Sequence, residues 1–200
     1  MLQSEALQIL DQKIATCRLC KELTEYRESK SYKTVPGIGT PNARVMVLGE
    51  APGENEALEG KPFVGKAGKL LTNILEAAGW KRDQLFITNI LKCRPPNNRD
   101  PLPEEAGNCR KFLDLQIQCV NPEWILCFGR ISSVFLLGHD PTTTISSLRH
   151  KLHDYQGRKV ICTYHPSYLL RQPSAKQDVW DDLQPAVCAL QPKNLALQFK

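Results

Sequence analysis

"RVMVLGEAPGENEALEGKPFVGKAG", Arg44 to Gly68, passes from an apolar run into a loop punctuated by glycines and on towards a helical pattern at Ala67–Ala78. Three more apolar runs follow in the same relation to helices: Leu85–Ile90, Glu123–Gly129 and Arg158–His165, with helix patterns at Pro103–Val120 and Ile131–Leu137. Flanking helices are expected at Glu5–Ala15 and Asp178–Leu190. The strand runs are continuously apolar rather than alternating, as in strands covered on both faces. Strands alternating with helices therefore imply an α/β fold of three layers, α/β/α, around a central, mostly parallel, four-stranded sheet. Such sheets bind ligands at the carboxyl ends of their strands. That rule gathers four segments at one rim: "GEAPGENE", "TNILKCRPP", "FGR" and "HPSYLLR".

The chain has 200 residues, 42% apolar and 24% charged, enough for one sizeable core, so a single domain spanning 1–200 is expected. Its apolar runs are far too short to span a membrane, and the N-terminus has an amphipathic helix pattern rather than that of a signal peptide. A cytoplasmic protein, nucleoid-associated if it binds DNA, is the expectation. The net charge of +5 is compatible with an anionic partner without requiring one.

Of eight cysteines, Cys119, Cys127, Cys162 and Cys188 sit in apolar or helical contexts and read as small buried hydrophobes. The others, Cys17, Cys20, Cys93 and Cys109, form one close pair and one wide pair. Four thiolates can hold zinc or an iron-sulfur cluster, and the unequal spacing favours the cluster; unrelated free thiols are the remaining alternative.

The first loop is neither a Walker A loop nor a dinucleotide fingerprint. Glu50 emerges at the end of its strand, and Phe63 lies between a proline and a valine-glycine pair. From the residues alone, a solvated loop carboxylate for Glu50 and a core position for Phe63 outweigh a functional role for either. In the fourth loop His165 is followed by Leu170 and Arg171, a pairing that suits an apolar wedge beside a phosphate clamp.

Together, "GEAPGENE…GKPFVGKAG", "TNILKCRPPNNRDP…E…C" and "HPSYLLR" closely resemble the family 4 uracil-DNA glycosylases, the iron-sulfur-containing branch of that superfamily. The resemblance runs from about Cys17 to Arg171 and implies the fold of that superfamily. It implies a DNA repair enzyme that flips uracil from single- or double-stranded DNA, hydrolyses the N-glycosidic bond and leaves an abasic site. Glu50 matches the acidic residue that places or activates water. His165 matches the histidine directed at uracil O2. Asn89 matches the amide that reads the base edge, Phe63 the aromatic on which the base stacks, and Glu56 the residue that crowds C5 against a methyl group. Backbone amides at Gly49, Ala51 and Gly53 are candidates for cradling the base or a phosphate. Leu170, Arg171, Arg94 and Arg99 are candidates for DNA contact. Cys17, Cys20, Cys93 and Cys109 match the ligands of a [4Fe-4S] cluster with a structural role.

Two departures are small: Ala57 stands where aspartate is common, and Asn97 where the loop usually has glycine. A basic, histidine-ending insertion found in a covalently trapping branch is missing, which implies turnover rather than a permanent adduct; a monomer is expected. Two alternatives stay open: a non-catalytic iron-sulfur module that binds DNA damage, and a glycosylase for another deaminated base such as hypoxanthine.

Overall fold

The computed structural model describes residues 3–190, so the expected 1–200 domain extends beyond the described residues at both ends. Helices α1 (Gln3–Ala15) and α2 (Lys21–Ser29) precede a two-residue strand, β1 (Ile38–Gly39). Strand β2 (Val45–Gly49) leads through α3 (Glu54–Glu59) and α4 (Lys66–Ala77) to β3 (Phe86–Asn89), and α5 (Pro103–Val120) leads to β4 (Trp124–Phe128). Then come α6 (Arg130–Leu137), α7 (Ile145–Leu148), β5 (Leu152–Tyr155), β6 (Arg158–Thr163), α8 (Pro166–Arg171) and α9 (Lys176–Leu190).

The sheet has six strands in the order β1-β3-β2-β4-β6-β5, and it is mixed. This corrects the expected four-stranded sheet. The four expected strands are its inner members and are mutually parallel, whereas β1 and β5 add antiparallel edges. The edges escape sequence reading for different reasons. β1 is only two residues long, and "LHDY" in β5 is polar and partly exposed, without the apolar content that marks a strand. What forms β5 is its turn: Gln156 and Gly157 both have positive φ, the backbone that closes a tight hairpin onto β6.

Each inner strand divides its side chains between two cores, which is the physical content of three layers. Met46 and Leu48 pack with Leu113 and Ile117 of α5 and with residues of α1, α2, α6 and α7. Val45 and Val47 point the other way, towards Leu71 and Leu75 of α4 and Val179 and Leu183 of α9. Helix α5 starts on Pro103, and the Glu105 carboxylate accepts the Leu102 N–H at 2.9 Å, satisfying a donor that the helix itself leaves open.

Cys127 and Cys162 are buried as expected, but Cys119 is half-buried and Cys188 exposed, so the reading of all four as core residues needs correcting. Among the described residues no helix is long and apolar enough to cross a membrane.

Candidate active site

From β2 the chain crosses to β3 on one side, and from β4 it crosses to β6 on the other, so the loops beyond β2 and β4 diverge. A crevice opens at such a switch point. Here a cleft of about 600 Å³ is lined by Glu50, Ala51, Gly53, Glu56, Phe63, Asn89, Arg99, His165 and Arg171, all named from the sequence, together with Asp100, Arg130 and Ser167, which were not.

Asn89 ends β3 and is almost wholly buried, yet its side-chain oxygen Oδ1 has no hydrogen-bond partner. A buried amide oxygen without a partner is costly, and one that faces a cleft is a ready acceptor for a ligand donor. Its backbone is fixed from behind: Lys92 Nζ donates to the Asn89 carbonyl at 2.6 Å, to Thr88 Oγ1 at 2.7 Å and to Gln116 Oε1 at 2.7 Å. Thr88 Oγ1 and Gln116 Nε2 both donate to the Pro36 carbonyl at 2.7 Å. Full burial lowers the Lys92 pKa to about 7, opposed by Cys109 and Asp11.

Phe63 is buried with φ of +53°, a left-handed backbone that bulky residues rarely adopt. Its ring lies over Gly49 and 5.8 Å from the His165 ring. The Glu56 carboxylate accepts the Val64 and Gly65 N–H groups at 3.0 and 3.1 Å. Glu56 thus lines the cleft and also braces the loop that carries Phe63.

His165 caps the N-terminus of α8, where its Nδ1 accepts the Ser167 N–H at 3.2 Å and lies 2.8 Å from Ser167 Oγ. A backbone N–H can only donate, so Nδ1 carries the lone pair and the neutral ring holds its proton on Nε2. Burial lowers the His165 pKa to about 4, against the attraction of Glu56, so the ring is neutral near pH 7. Glu50, directly beyond β2, shifts the other way. Burial chiefly, then the Asp100 charge, raises its pKa to about 7, while Arg130 opposes the rise. The cleft therefore holds a neutral N–H donor and a carboxyl that titrates near neutrality.

Beside this cleft, Cys17, Cys20, Cys93 and Cys109 border one small cavity with Ile14, Leu23 and Phe112. Among the described residues, no three His, Cys, Asp or Glu side chains close on one ion-sized point. The donors around the sulfurs suit thiolates: Arg27 Nη1 donates to Cys93 Sγ at 3.2 Å and Asn108 Nδ2 to Cys20 Sγ at 3.6 Å. As free thiols, Cys20, Cys93 and Cys109 are held protonated by burial, Cys109 up to about 11. Four sulfurs in an apolar pocket, with one cationic and one amide donor aimed at them, fit a group that displaces those protons.

The sequence profile of the uracil DNA glycosylase superfamily matches residues 36–184. The chain belongs to the uracil-DNA glycosylase superfamily. It is similar to the type-4 uracil-DNA glycosylase of Archaeoglobus fulgidus, with 41% identity covering 90% of this chain and 91% of the relative. The type-4 enzyme of Sulfurisphaera tokodaii is 38% identical, covering 98% and 90% of the two chains. A type-5 uracil-DNA glycosylase of Thermus thermophilus is 29% identical, covering 78% and 84%.

In this uracil-DNA glycosylase superfamily member the matched region holds the whole cleft but begins after Cys17 and Cys20. Two of the expected DNA contacts are engaged within the protein. Arg94 is buried, donating to Tyr32 Oη at 2.6 Å and to Asn98 Oδ1 at 3.0 Å, and pairing with Glu54 at 3.3 Å. Arg99 is paired with Glu105 at 2.6 Å and Glu22 at 3.3 Å. Both guanidinium groups hold the loop beyond β3 to its neighbours instead of presenting free charge. Leu170 and Arg171, by contrast, are exposed on α8, and Arg171 reaches the lip of the cleft. Asn97 has φ of +53°, so asparagine serves where the family loop usually has glycine. Ala57 is fully buried, in a place that would not accept a charge readily.

Ser167 and Asn108 were within sight of the sequence, each adjoining a residue of interest. Arg130 lay in the quoted "FGR" segment, whereas Arg27 and Gln116 were out of sight, because their contacts come from segments far away in the chain.

Proposed function

We propose that this protein is a monofunctional uracil-DNA glycosylase of base excision repair, acting on uracil flipped from single- or double-stranded DNA and leaving an abasic site. The observation that carries the reading is the unpartnered Asn89 Oδ1, buried in a cleft that also holds a neutral His165 and Glu50. Uracil N3–H supplies the donor Oδ1 lacks, and the amide NH₂ of Asn89 donates to O4. Cytosine reverses both groups, and a mismatched buried amide discriminates by about 10⁴-fold. The names of the type-4 relatives support the same substrate.

In the reaction the C1′–N1 bond breaks with its electron pair passing to the base, and a water oxygen bonds to C1′. Ionised Glu50 stabilises the sugar cation and takes the water proton. His165 Nε2–H donates to uracil O2, where negative charge develops; removing such a donor costs about 3–4 kcal/mol. Phe63 stacks on the base, worth about 1–3 kcal/mol, and Glu56 excludes a C5 methyl. The amides of Gly49, Ala51 and Gly53 lie beside this cradle, Leu170 fills the vacated stack and Arg171 meets a phosphate. Cys17, Cys20, Cys93 and Cys109 hold a [4Fe-4S] cluster, which supplies cross-linking rather than electron transfer, since the hydrolysis is redox-neutral. The enzyme works as a monomer.

The test is base release by the purified protein from oligonucleotides containing uracil, mismatched thymine or hypoxanthine. Free uracil without strand scission, lost in Glu50→Ala and His165→Ala proteins that still fold, is the expected result. Binding without release, or a preference for hypoxanthine, would overturn it. Anaerobic protein is expected to contain four irons and sulfides per chain; stoichiometric zinc instead would refute the cluster.

A further inference from the structure

Phe63 keeps its left-handed backbone because the peptides on both sides of it are held. Behind it, Arg82 Nη2 donates to the Pro62 carbonyl, and Arg82 Nη1 donates to Thr72 Oγ1 at 3.1 Å on α4. Ahead of it, Glu56 takes the Val64 and Gly65 N–H groups. From the side, α4 presses so closely that a β-carbon on Gly68 would lie 1.9 Å from the Phe63 carbonyl oxygen. An unusual backbone persists only where its surroundings over-determine it, and such residues gather at functional sites. Arg82 itself lies outside the cleft, on the short turn Arg82–Gln84 that precedes β3.

We propose that Arg82 is a positioning residue for base binding: by fixing the Pro62 carbonyl against α4, it holds the Phe63 ring in the plane that receives the flipped base. The proposal rests on the reading of Phe63 as the stacking platform. Neither Arg82 nor Thr72 touches the base; both act through residues 62 and 63. Arg82→Met keeps the stem and loses both donations, whereas Arg82→Lys keeps the charge and its N–H donors on a single nitrogen, without the planar fork whose two nitrogens reach the Pro62 carbonyl and Thr72 Oγ1 separately.

The test measures inhibition by free uracil and kcat/KM on a uracil oligonucleotide, alongside thermal unfolding, for Phe63→Ala, Arg82→Met, Arg82→Lys and the Phe63→Ala/Arg82→Met double variant. Arg82→Met is expected to weaken uracil binding about tenfold, with Arg82→Lys recovering part of it. The double variant should bind no worse than Phe63→Ala, because residues that act through one contact are not additive. If Phe63→Ala leaves uracil affinity unchanged, the platform reading itself fails. If Phe63→Ala weakens binding but Arg82→Met does not, or if the two losses multiply, the positioning role is wrong. Should Arg82→Met not fold, Thr72→Val releases the second guanidinium contact and is expected to weaken uracil binding in the same direction, by about threefold. An unchanged affinity in that variant would also overturn the proposal.

Discussion

A β-carbon on Gly49 would lie 2.3 Å from Asn89 Oδ1 and 2.5 Å from the Phe63 ring. The last residue of β2 thus sets the distance between the amide and the aromatic. Gly49→Ala must push one or both aside. We expect at least a 100-fold fall in kcat/KM for uracil release, a loss of about 2.7 kcal/mol of transition-state stabilisation, in a protein whose circular dichroism is unchanged. Single-turnover base release checks it.

The titrations of Glu50 and His165 make a signed prediction. Ionised Glu50 is the working form, so activity should rise through an apparent pKa near 7, with no inflection from His165 above its value of about 4. In Glu50→Gln that limb should vanish. Stability moves the other way. Between pH 4.5 and about 7 an unfolded Glu50 has lost its proton while the folded one keeps it, so its contribution to stability falls as pH rises through that window. Glu50→Gln should therefore be more stable than the parent above pH 7, by about 1–3 kcal/mol, as read by urea unfolding at several pH values.

Arg171 and Arg94 should separate in a salt titration of DNA binding. Arg171→Ala removes an exposed charge at the cleft lip, and the slope of log affinity against log salt should fall by about 1. For Arg94→Ala, whose guanidinium is committed to Tyr32, Asn98 and Glu54, the slope should stay and thermal stability should drop.

Lys92→Met strands three buried acceptors at once: the Asn89 carbonyl, Thr88 Oγ1 and Gln116 Oε1. A loss of about 3 kcal/mol or more is expected. Adding Gln116→Leu, which replaces one stranded acceptor with an apolar group, should return part of it in chemical denaturation.

The inner sheet was legible because Val45–Gly49 and Trp124–Phe128 are buried on both faces and continuously apolar, and β3, though it ends on the polar Thr88 and Asn89, lies within the apolar run Leu85–Ile90. β5 was not, since its pairing follows from a turn backbone and a neighbour rather than from its own composition. In the site, Glu50, Asn89 and His165 could be singled out because polar residues at the ends of apolar strands, or just beyond them, stand out. The left-handed backbone of Phe63, the Arg130–Asp100 pair 3.3 Å apart and the Lys92 network could not, for they are contacts between distant segments and leave no local pattern. Arg94 and Arg99 are the converse case: as letters they look free, and only packing reveals their carboxylate and hydroxyl partners.

The cavity bordered by the four cysteines has a consequence for how the chain is made. Cys20 and Cys93 are 73 positions apart, and α2, β1, β2, α3, α4 and β3 lie between them. During synthesis Cys17 and Cys20 emerge before three strands and the β2–β3 crossover, and Cys93 and Cys109 only after them. The cavity is complete only when Cys109, on α5, has been made. Anything that joins all four sulfurs therefore ties α1 and α2, the first elements synthesised, to segments made after β3, and closes that long loop in the finished fold.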